Sequence, residues 1–523
     1  MVKVSSTIYK LKSNYFLFLI NLLFVIVLRG QTVNQQQLKP NVLFLQTDQH
    51  VWYALGFLNL GFDTPNLDEL ANDGMYFSNA MASTPSCSPA RATMVSGMYP
   101  HSNSVINNLI TKKNAKYQQH GIEETAFAIT ENVLFDVGYY TAHYGKWHIG
   151  KKKALNCYKN SLLEGQSHSY NASKTYAKNL AIAMEKLNPV HSEKQLWGYP
   201  LYQSKVYQDA SSKTKWKHKG ILATGRTSIP VELLPHTSIT NETIRAIKEK
   251  QGEPWMITTS WHPPHIPWAM PDPYYSMYDR DKMEVDMSEI DKIHPNAANM
   301  DASRLGSLVG KEGIREYLAI YRAQVYYMDE QVGRILKTLK ETGQYDNTLI
   351  IFTSDHGDTQ GRFGTMGKSL DGFYNEVVRI PLIVKPPKSR IKSMLTDNHQ
   401  VNQIDFMPTI LDYTGVQIPR QVQGSSLKAL LEKKSTNWRA YNYSERTYPH
   451  KDLLCRMVTD DQFKYVFYNK GPDGFYDLKN DPKELQNLIN ENKYKPEIEK
   501  YRAVLKKWMK ETNDQYLEKY LYR

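Results

Sequence analysis

Short apolar runs that end in polar residues recur along this chain and predict the strands of a buried, mainly parallel sheet. Residues 41–48, 254–260 and 348–353 are such runs, and residues 139–144 and 380–384 share their character. Runs of this length suit strands better than helices, and their continuous apolar character is typical of strands covered on both faces. The pattern therefore predicts an α/β fold.

Apolar residues spaced three and four apart predict the helices that flank this sheet. The longest such stretch lies between residues 316 and 339, and its apolar face consists of Leu318, Tyr321, Val325, Met328, Val332, Ile335 and Leu339. Shorter helices are predicted at residues 64–74, 131–137 and 405–415, and the first and last of these end at a glycine. Strands that alternate with helices in this way favour a layered α/β domain.

The C-terminal part has a different pattern, which predicts a smaller α+β subdomain with an antiparallel sheet. Residues 456–458 and 463–467 flank a polar turn, as in a hairpin, and a helix that begins at Pro496 carries its apolar residues on one face. We therefore place an α/β domain at residues 39–430 and the subdomain at residues 431–523. A polar segment at residues 151–235 is either a specificity insertion at the mouth of a site or a surface excursion.

The N-terminus predicts export. Three lysines precede an apolar stretch at residues 16–28, and Arg29-Gly30-Gln31 follows it. A basic leader and a short apolar core are typical of a secretory signal peptide, here residues 1–30, and an uncleaved anchor is the alternative. We expect a periplasmic location, with extracellular and lysosomal ones as alternatives, and no stable membrane span after signal cleavage.

The composition narrows the class of partner. The 523 residues carry 65 basic and 53 acidic side chains, a net charge of +12, which indicates either an anionic partner or plain solubility. No basic stripe is interleaved with aromatic residues, so nucleic acid is not expected. There are three cysteines, Cys87, Cys157 and Cys455, and the last two could pair in an oxidising compartment if Cys87 is modified.

The segment CSPARATMVSG at residues 87–97 is the first candidate site. Ser88 suits the N-cap of a helix, Pro89 its first position and Gly97 its end. Cys87 would then lie just outside the helix N-terminus, where amide donors favour negative charge, and Arg91 would point back towards it. The segment predicts an anion site or an activated nucleophile, and a small buried cysteine is the alternative.

The ends of two predicted strands form the second candidate site. Asp48-Gln49 follows the first apolar run and Asp355-His356 follows residues 348–353. Because open α/β sheets bind ligands at the carboxyl ends of their strands, these side chains are candidate metal ligands, although an aspartate after a strand is often a turn residue. Mostly oxygen ligands favour Ca²⁺ or Mg²⁺, and His356 makes Mn²⁺ conceivable.

The segment containing Cys87, Pro89 and Arg91 resembles the signature of the Cys-type sulfatases of the alkaline-phosphatase superfamily. Ala90 is a mild departure, since the family more often has serine there. Further motifs follow in the family's order, and they are residues 145–150, 264–267, 354–358, 367–368, 379–383 and 475–482. The resemblance spans residues 40–488 apart from the segment before Pro235. The motifs, taken together in this order, are highly specific for the family.

This resemblance implies the fold and the cofactors. The fold would be alkaline-phosphatase-like, a large mixed, mainly parallel sheet flanked by helices. A maturation enzyme would convert Cys87 to formylglycine. A divalent cation, usually calcium, would be bound by Asp48, Gln49, Asp355 and His356 together with the modified Cys87.

The resemblance also implies roles for the other motif residues. A sulfate ester is an anion, and Lys146, Lys368 and protonated His265 would attract it together with the cation. A hydroxyl of the hydrated formylglycine, polarised by the cation and Arg91, would attack sulfur. His265 or Lys368 would protonate the leaving alcohol, and His148 would act as the base that expels sulfate and regenerates the aldehyde.

The sequence therefore predicts an exported sulfatase that acts on a sulfated poly- or oligosaccharide, with algal polysaccharides among the candidates. Two alternatives stay open. One is a phosphonate monoester or phosphodiester hydrolase of the same superfamily, and the other is a non-catalytic relative that binds anionic glycans.

Overall fold

The computed structural model describes most of the chain after residue 38. The described residues are 39–109, 121–122, 127–150, 162–164, 194–196, 199–213, 223–287, 289, 292–298, 305–368, 372–389, 391, 393–434, 437–449 and 452–521. The predicted signal peptide, Cys157 and most of the predicted insertion lie outside these residues. Residues 40–523 form one compact unit.

The strands of the described residues belong to four sheets. In chain order they are β1 (Asn41–Asp48), β2 (Met75–Phe77), β3 (Ala80–Met81), β4 (Tyr140–Lys146), β5 (Leu162–Glu164), β6 (Lys194–Leu196), β7 (Tyr199–Tyr202), β8 (Thr224–Thr227), β9 (Trp255–Pro264), β10 (Trp268–Met270), β11 (Thr348–Ser354), β12 (Leu382–Lys385), β13 (Leu395–Asp397), β14 (Val401–Asn402), β15 (Asn442–Tyr448), β16 (Leu453–Thr459), β17 (Phe463–Tyr468) and β18 (Gly474–Asp477).

The helices of the described residues surround the largest sheet and cover the C-terminal one. They are α1 (Pro65–Asn72), α2 (Cys87–Ser96), α3 (Pro100–Asn103), α4 (Thr130–Asp136), α5 (Lys205–Lys213), α6 (Pro235–Glu249), α7 (Pro295–Ala298), α8 (Leu305–Glu341), α9 (Asn375–Val378), α10 (Phe406–Thr414), α11 (Lys428–Leu431), α12 (Lys495–Glu511) and α13 (Leu517–Leu521). Each predicted helix is present. The longest, α8, begins earlier than predicted and contains non-helical backbone at Gly310.

The largest sheet has eight strands in the order β13-β2-β12-β11-β1-β9-β4-β5. The five strands from β11 to β5 pair in parallel, whereas β12 runs antiparallel to both of its neighbours. The predicted large mixed, mainly parallel α/β sheet is therefore confirmed.

The central strand β1 is buried on both faces. Leu43 and Leu45 pack in the core cluster that includes Tyr321 of α8, whereas Val42 and Phe44 pack in the cluster that includes Phe406 of α10. Successive side chains of a strand point to opposite faces, so a continuous apolar run serves two layers of helices at once. This sandwich leaves only the strand ends open to ligands.

The C-terminal sheet is antiparallel, in the order β15-β16-β17-β18. The predicted hairpin is confirmed as β16 and β17, and α12 carries the predicted face, on which Ile498, Tyr501, Leu505 and Trp508 are buried. Among the described residues, no helix combines the length and the apolar character needed to cross a membrane.

A buried ionic network joins α3 to this C-terminal sheet. Both the backbone N and Nδ1 of His101 lie 2.6 Å from carboxylate oxygens of Glu445 in β15. Arg456 of β16 donates from Nε to Asp514 at 2.6 Å and lies 3.5 Å from Glu445. Burial opposes protonation of His101, but the charge of Glu445 and its hydrogen bond raise the pKa of the ring.

Replacing His101 by glutamine should weaken this network in a pH-dependent way. A histidine whose pKa is higher in the folded than in the unfolded protein stabilises the fold at pH values below the unfolded-state pKa. This stabilisation is lost as the pH rises through the pKa of the folded state. We expect H101Q to lower the free energy of unfolding by about 3 kcal/mol at pH 6 and by less at alkaline pH. Urea unfolding at several pH values measures this. The matched control is His399→Gln, which removes an exposed histidine beside Asp397, and a loss independent of pH in H101Q would contradict the assignment.

Candidate active site

Two parallel strands bring the first pair of carboxylates together. Thr47 of β1 is in register with Ser354 of β11, so Asp48 and Asp355 leave neighbouring strands at the same edge of the sheet. Both side chains are fully buried. The backbone N of Gln49 donates to Asp355 Oδ1 at 3.1 Å, and this bond ties the two strand ends together.

Helix α2 places Cys87 beside these carboxylates. The helix begins at Cys87 itself, with Ser86 at the N-cap, so the prediction that Ser88 caps it and that Cys87 lies outside is wrong. The reason is a distant side chain: Asn108 Oδ1 accepts from the backbone N of Ser88 at 3.0 Å and from Ser86 Oγ at 2.9 Å. Gly97 ends the helix in the left-handed conformation, as predicted.

Arg91, one turn into α2, clamps the strand ends. Its Nη2 donates to Asp48 at 2.9 Å and its Nε to Asp355 at 2.8 Å, and Nη1 donates to Ser260 Oγ of β9 at 2.7 Å. Nη1 also donates to the backbone oxygen of Lys146 at 2.9 Å. The guanidinium is therefore held on all sides and fixes the ends of four strands, β1, β4, β9 and β11, relative to Cys87.

Four potential ligand atoms converge in front of this clamp. They belong to Asp48, Cys87, Asp355 and His356, and all lie within 4.8 Å of one another. The Sγ of Cys87 is 3.2 Å from His356 Nε2 and 3.9 Å from Asp48 Oδ1. The Nδ1 of His356 lies 2.9 Å from the backbone oxygen of Gly357, which leaves Nε2 to face the cluster.

Two lysines from separate parts of the chain complete the cluster. Lys368 Nζ lies 2.7 Å from both Cys87 Sγ and His356 Nε2. Lys146, at the end of β4, is 5% exposed and donates to Asp48 Oδ2. Burial would raise the pKa of the Cys87 thiol, but the ammonium groups of Lys146 and Lys368 hold it well below its usual range. The pocket therefore stabilises negative charge at residue 87.

The donor set fits a hard divalent cation. Burial and the neighbouring Asp48 raise the pKa of Asp355. Burial would also raise the pKa of Asp48, but Lys146, His265 and Arg91 together lower it. Two adjacent buried carboxylates repel each other, and a divalent ion between them removes that repulsion. Ca²⁺ takes oxygen ligands at about 2.3–2.6 Å, so atoms on opposite sides of one ion lie about as far apart as these do.

The two predicted histidines also border this cluster. A hydrogen bond from His148 helps to lower the pKa of Cys87, and burial lowers the pKa of His148 to about 4. Its ring is thus neutral near pH 7 and able to accept a proton. His265 contributes to the low pKa of Asp48, and its ring centroid lies 4.5 Å from that of His262.

Gln49 has a second partner that the sequence did not reveal. Its side-chain N donates to Asp358 Oδ2 at 2.7 Å, and its backbone has a φ of 64°. Asp358 also accepts from Tyr317 Oη of α8. The sequence analysis did not identify Asp358 or Ser260, the hydrogen-bond partner of Arg91, as site residues. Asp358 lies within the motif at residues 354–358, and Ser260 ends the strand predicted at residues 254–260. The structure thus brings the ten predicted site residues together at or beside this cluster, and their catalytic and metal-binding roles stay predictions.

The chain matches models of known protein families. A family model described as "Sulfatase" matches residues 40–416. A second model, described as "N-sulphoglucosamine sulphohydrolase, C-terminal", matches residues 361–514 and so includes the C-terminal sheet.

Individual proteins match over nearly the whole chain. An arylsulfatase of Clostridium perfringens is 27% identical over 92% of this chain and 96% of its own length. An N-acetylglucosamine-6-O-sulfatase of Bacteroides thetaiotaomicron is 29% identical over 91% of this chain and 87% of its own. Among solved structures, a phosphonate monoester hydrolase of Agrobacterium radiobacter has a TM-score of 0.72 and 22% identity, and covers 90% of this chain and 96% of its own. That structural likeness shows the fold.

Proposed function

Because this chain belongs to the sulfatase family of the alkaline-phosphatase superfamily and is a sulfuric ester hydrolase, we propose that it is exported and removes sulfate from a sulfated oligo- or polysaccharide through a formylglycine made from Cys87. The observation that carries this proposal is the buried cluster in which Cys87 Sγ lies 3.2 Å from His356 and 3.9 Å from Asp48. Cys87 supplies the only thiol of this cluster among the described residues.

The cation would be calcium, held by Asp48, Gln49, Asp355 and His356, and it would neutralise charge on the bound sulfate. Arg91 cannot swing away, since both carboxylates hold it, so it orients the substituent at residue 87. Lys146 and Lys368 present ammonium groups to the sulfate oxygens.

Proton transfers in this proposal use groups already at the cluster. Lys368 or His265 gives a proton to the oxygen of the departing alcohol, which would otherwise leave as an alkoxide. His148, neutral because of its burial, accepts a proton at a ring nitrogen as sulfate is expelled and the aldehyde is restored. A maturation enzyme must first oxidise Cys87.

The substrate class rests on two supports. The relative from Bacteroides thetaiotaomicron is named for the removal of sulfate from an amino sugar, and the net charge of +12 suits an anionic glycan. We keep the α/β domain at residues 39–430, the subdomain at residues 431–523 and a periplasmic location as parts of the proposal.

A desulfation screen tests this function. We expect the protein, co-expressed with a maturation enzyme, to release sulfate from at least one defined sulfated oligosaccharide, measured by ion chromatography, in a panel that includes algal and animal glycans. Bis-p-nitrophenyl phosphate is assayed in parallel. Faster turnover of this phosphodiester than of every sulfate ester would favour the phosphodiesterase alternative and contradict the proposal.

A further inference from the structure

A buried arginine outside the cluster has no hydrogen-bond partner among the residues that the structure describes. Arg446 of β15 is 1% exposed, and its Nε, Nη1 and Nη2 atoms all lack a partner. Its guanidinium lies 4.2 Å from the centroid of the Tyr448 ring, a contact that satisfies none of its N–H donors. A buried cation with five free donors is costly unless a ligand anion pairs with it.

The other arginines that are buried among the described residues contact carboxylates, which sets Arg446 apart. Arg91 contacts two carboxylates, and Arg456, which lies on the neighbouring strand, contacts Asp514 and Glu445. Arg439, which is partly buried, donates to Asp405. The described residues thus supply carboxylates to Arg91 and Arg456 but none to Arg446.

A buried hydroxyl lies on the same face of β15. Ser444 precedes Arg446 by two residues, so both side chains leave the strand on one side. The Ser444 Oγ also lacks a hydrogen-bond partner within the described part of the chain. A guanidinium and a hydroxyl side by side match the oxygens of a carboxylate or a sulfate.

This face is directed towards the α/β sheet. Arg446 pairs with Cys455 of β16, and directly opposite residues of an antiparallel pair share a face. Cys455 packs in one apolar cluster with Met81, Phe373 and Val378, which all precede the C-terminal sheet in the chain.

Both segments next to this face lead to the active cluster. The backbone N of Glu445 donates to the oxygen of Ser83 at 2.8 Å, four residues before Cys87. Phe373 follows Lys368 by five residues. The strands that carry Arg446 and Cys455 therefore contact the two chain segments that lead to the candidate nucleophile and the candidate acid.

We propose that Arg446 and Ser444 form an anion subsite that binds a second negative group of the substrate, a carboxylate or a further sulfate, while the ester to be cleaved occupies the cluster at Cys87. This inference rests on the proposed function, because it specifies which sulfated sugars the enzyme prefers. The preferred substrates are those in which the cleaved ester has an anionic neighbour.

The test compares Arg446→Met with wild type on three disaccharides. They share the sulfate ester that wild type cleaves fastest and differ in the adjacent group, which is a uronate, a second sulfate or a neutral sugar. We expect kcat/KM of R446M to fall about 10- to 100-fold more on the preferred anionic disaccharide than on the neutral one, as expected for a lost charge-assisted hydrogen bond. Whichever charged disaccharide shows the excess loss identifies the anion, and an equal loss on all three, or none, overturns the inference.

Two further measurements separate this inference from the proposed function. Calorimetry is done with the two reaction products that keep the anionic neighbour, the uronate and the sulfated disaccharide from which the cleavable sulfate has been removed, so the binding measurement needs no hydrolysis. We expect one of these disaccharides to bind R446M at least about tenfold more weakly than it binds wild type. If R446M and wild type bind each disaccharide with the same affinity, the subsite is overturned even when sulfate release is confirmed.

The Tm of R446M should equal or exceed that of wild type, because an unpaired buried charge is removed. A marked fall in Tm would show a structural role instead. The matched control is Arg245→Met, which removes an exposed arginine of α6 and should leave all readouts unchanged.

Discussion

Cys87→Ala is expected to abolish sulfate release while the fold is retained. The side chain at residue 87 is the proposed nucleophile, and without it the cations of the cluster bind sulfate but cannot cleave it. We expect kcat to fall at least about 10⁴-fold, as for the loss of other covalent nucleophiles. Alanine removes one buried atom from the first turn of α2 and removes no hydrogen bond of the Arg91 clamp. The Tm should therefore change by only a few degrees.

Intact-mass analysis provides the direct measurement for this prediction. Wild-type protein made with a maturation enzyme should lose about 18 Da in the peptide that contains residue 87, the change from thiol to aldehyde. The matched control is Cys455→Ala, which removes a buried thiol of β16 outside the cluster and should keep sulfate release. Full activity of C87A, or active wild type with an unmodified thiol, would refute the formylglycine mechanism.

Removing the divalent cation is the second change with a large expected effect. Asp48 and Asp355 are fully buried side by side, where Arg91 pairs with both carboxylates and Lys146 pairs with Asp48. Chelation should lower kcat by about 10³-fold or more, because the cation contributes several kcal/mol to charge stabilisation. It should also lower thermal stability, since a ligand at 1,000 times its Kd contributes about 4 kcal/mol.

Asp355→Asn should remove this sensitivity. Asparagine keeps the shape of the side chain and one oxygen for the Gln49 and His356 backbone N atoms, which lie 3.1 Å and 3.0 Å from Asp355 Oδ1, but it loses the charge that binds the cation. We expect D355N to be inactive and to show the same Tm with calcium and with chelator. Asp452→Asn, at an exposed carboxylate, is the control and should behave as wild type. A wild-type Tm and activity unaffected by chelation would contradict the proposed metal site.

The sequence predicted best those features that depend on residues close to one another in the chain. The apolar run of β1 predicted its strand and the placement of Asp48, because burial on both faces requires such a run and parallel pairing brings strand ends to one edge. The amphipathic face of α8 was predicted for the same reason, since side chains three and four positions apart share a face.

The boundary of α2 shows where local reasoning failed. Ser88 is a good N-cap by type, but Asn108, which follows it by 20 residues, caps the helix from outside and lets it begin at Cys87. The side chain of Gln49 is another case, because its bond to Asp358 spans 309 residues. No spacing within the sequence encodes such a pairing.

The sequence by itself therefore determined the α/β class, the strand ends that carry Asp48 and Asp355, and the resemblance that links them to Cys87. Only the tertiary structure decided how Arg91 is clamped and which buried charges have partners. The clamp joins Arg91 to Asp355 across 264 residues. Arg446 lacks a carboxylate partner because of how the C-terminal sheet packs against chain segments near Ser83 and Phe373. Periodicity reports which face of an element is buried, whereas the partner of a buried charge is set by whichever distant residues the fold brings to that face.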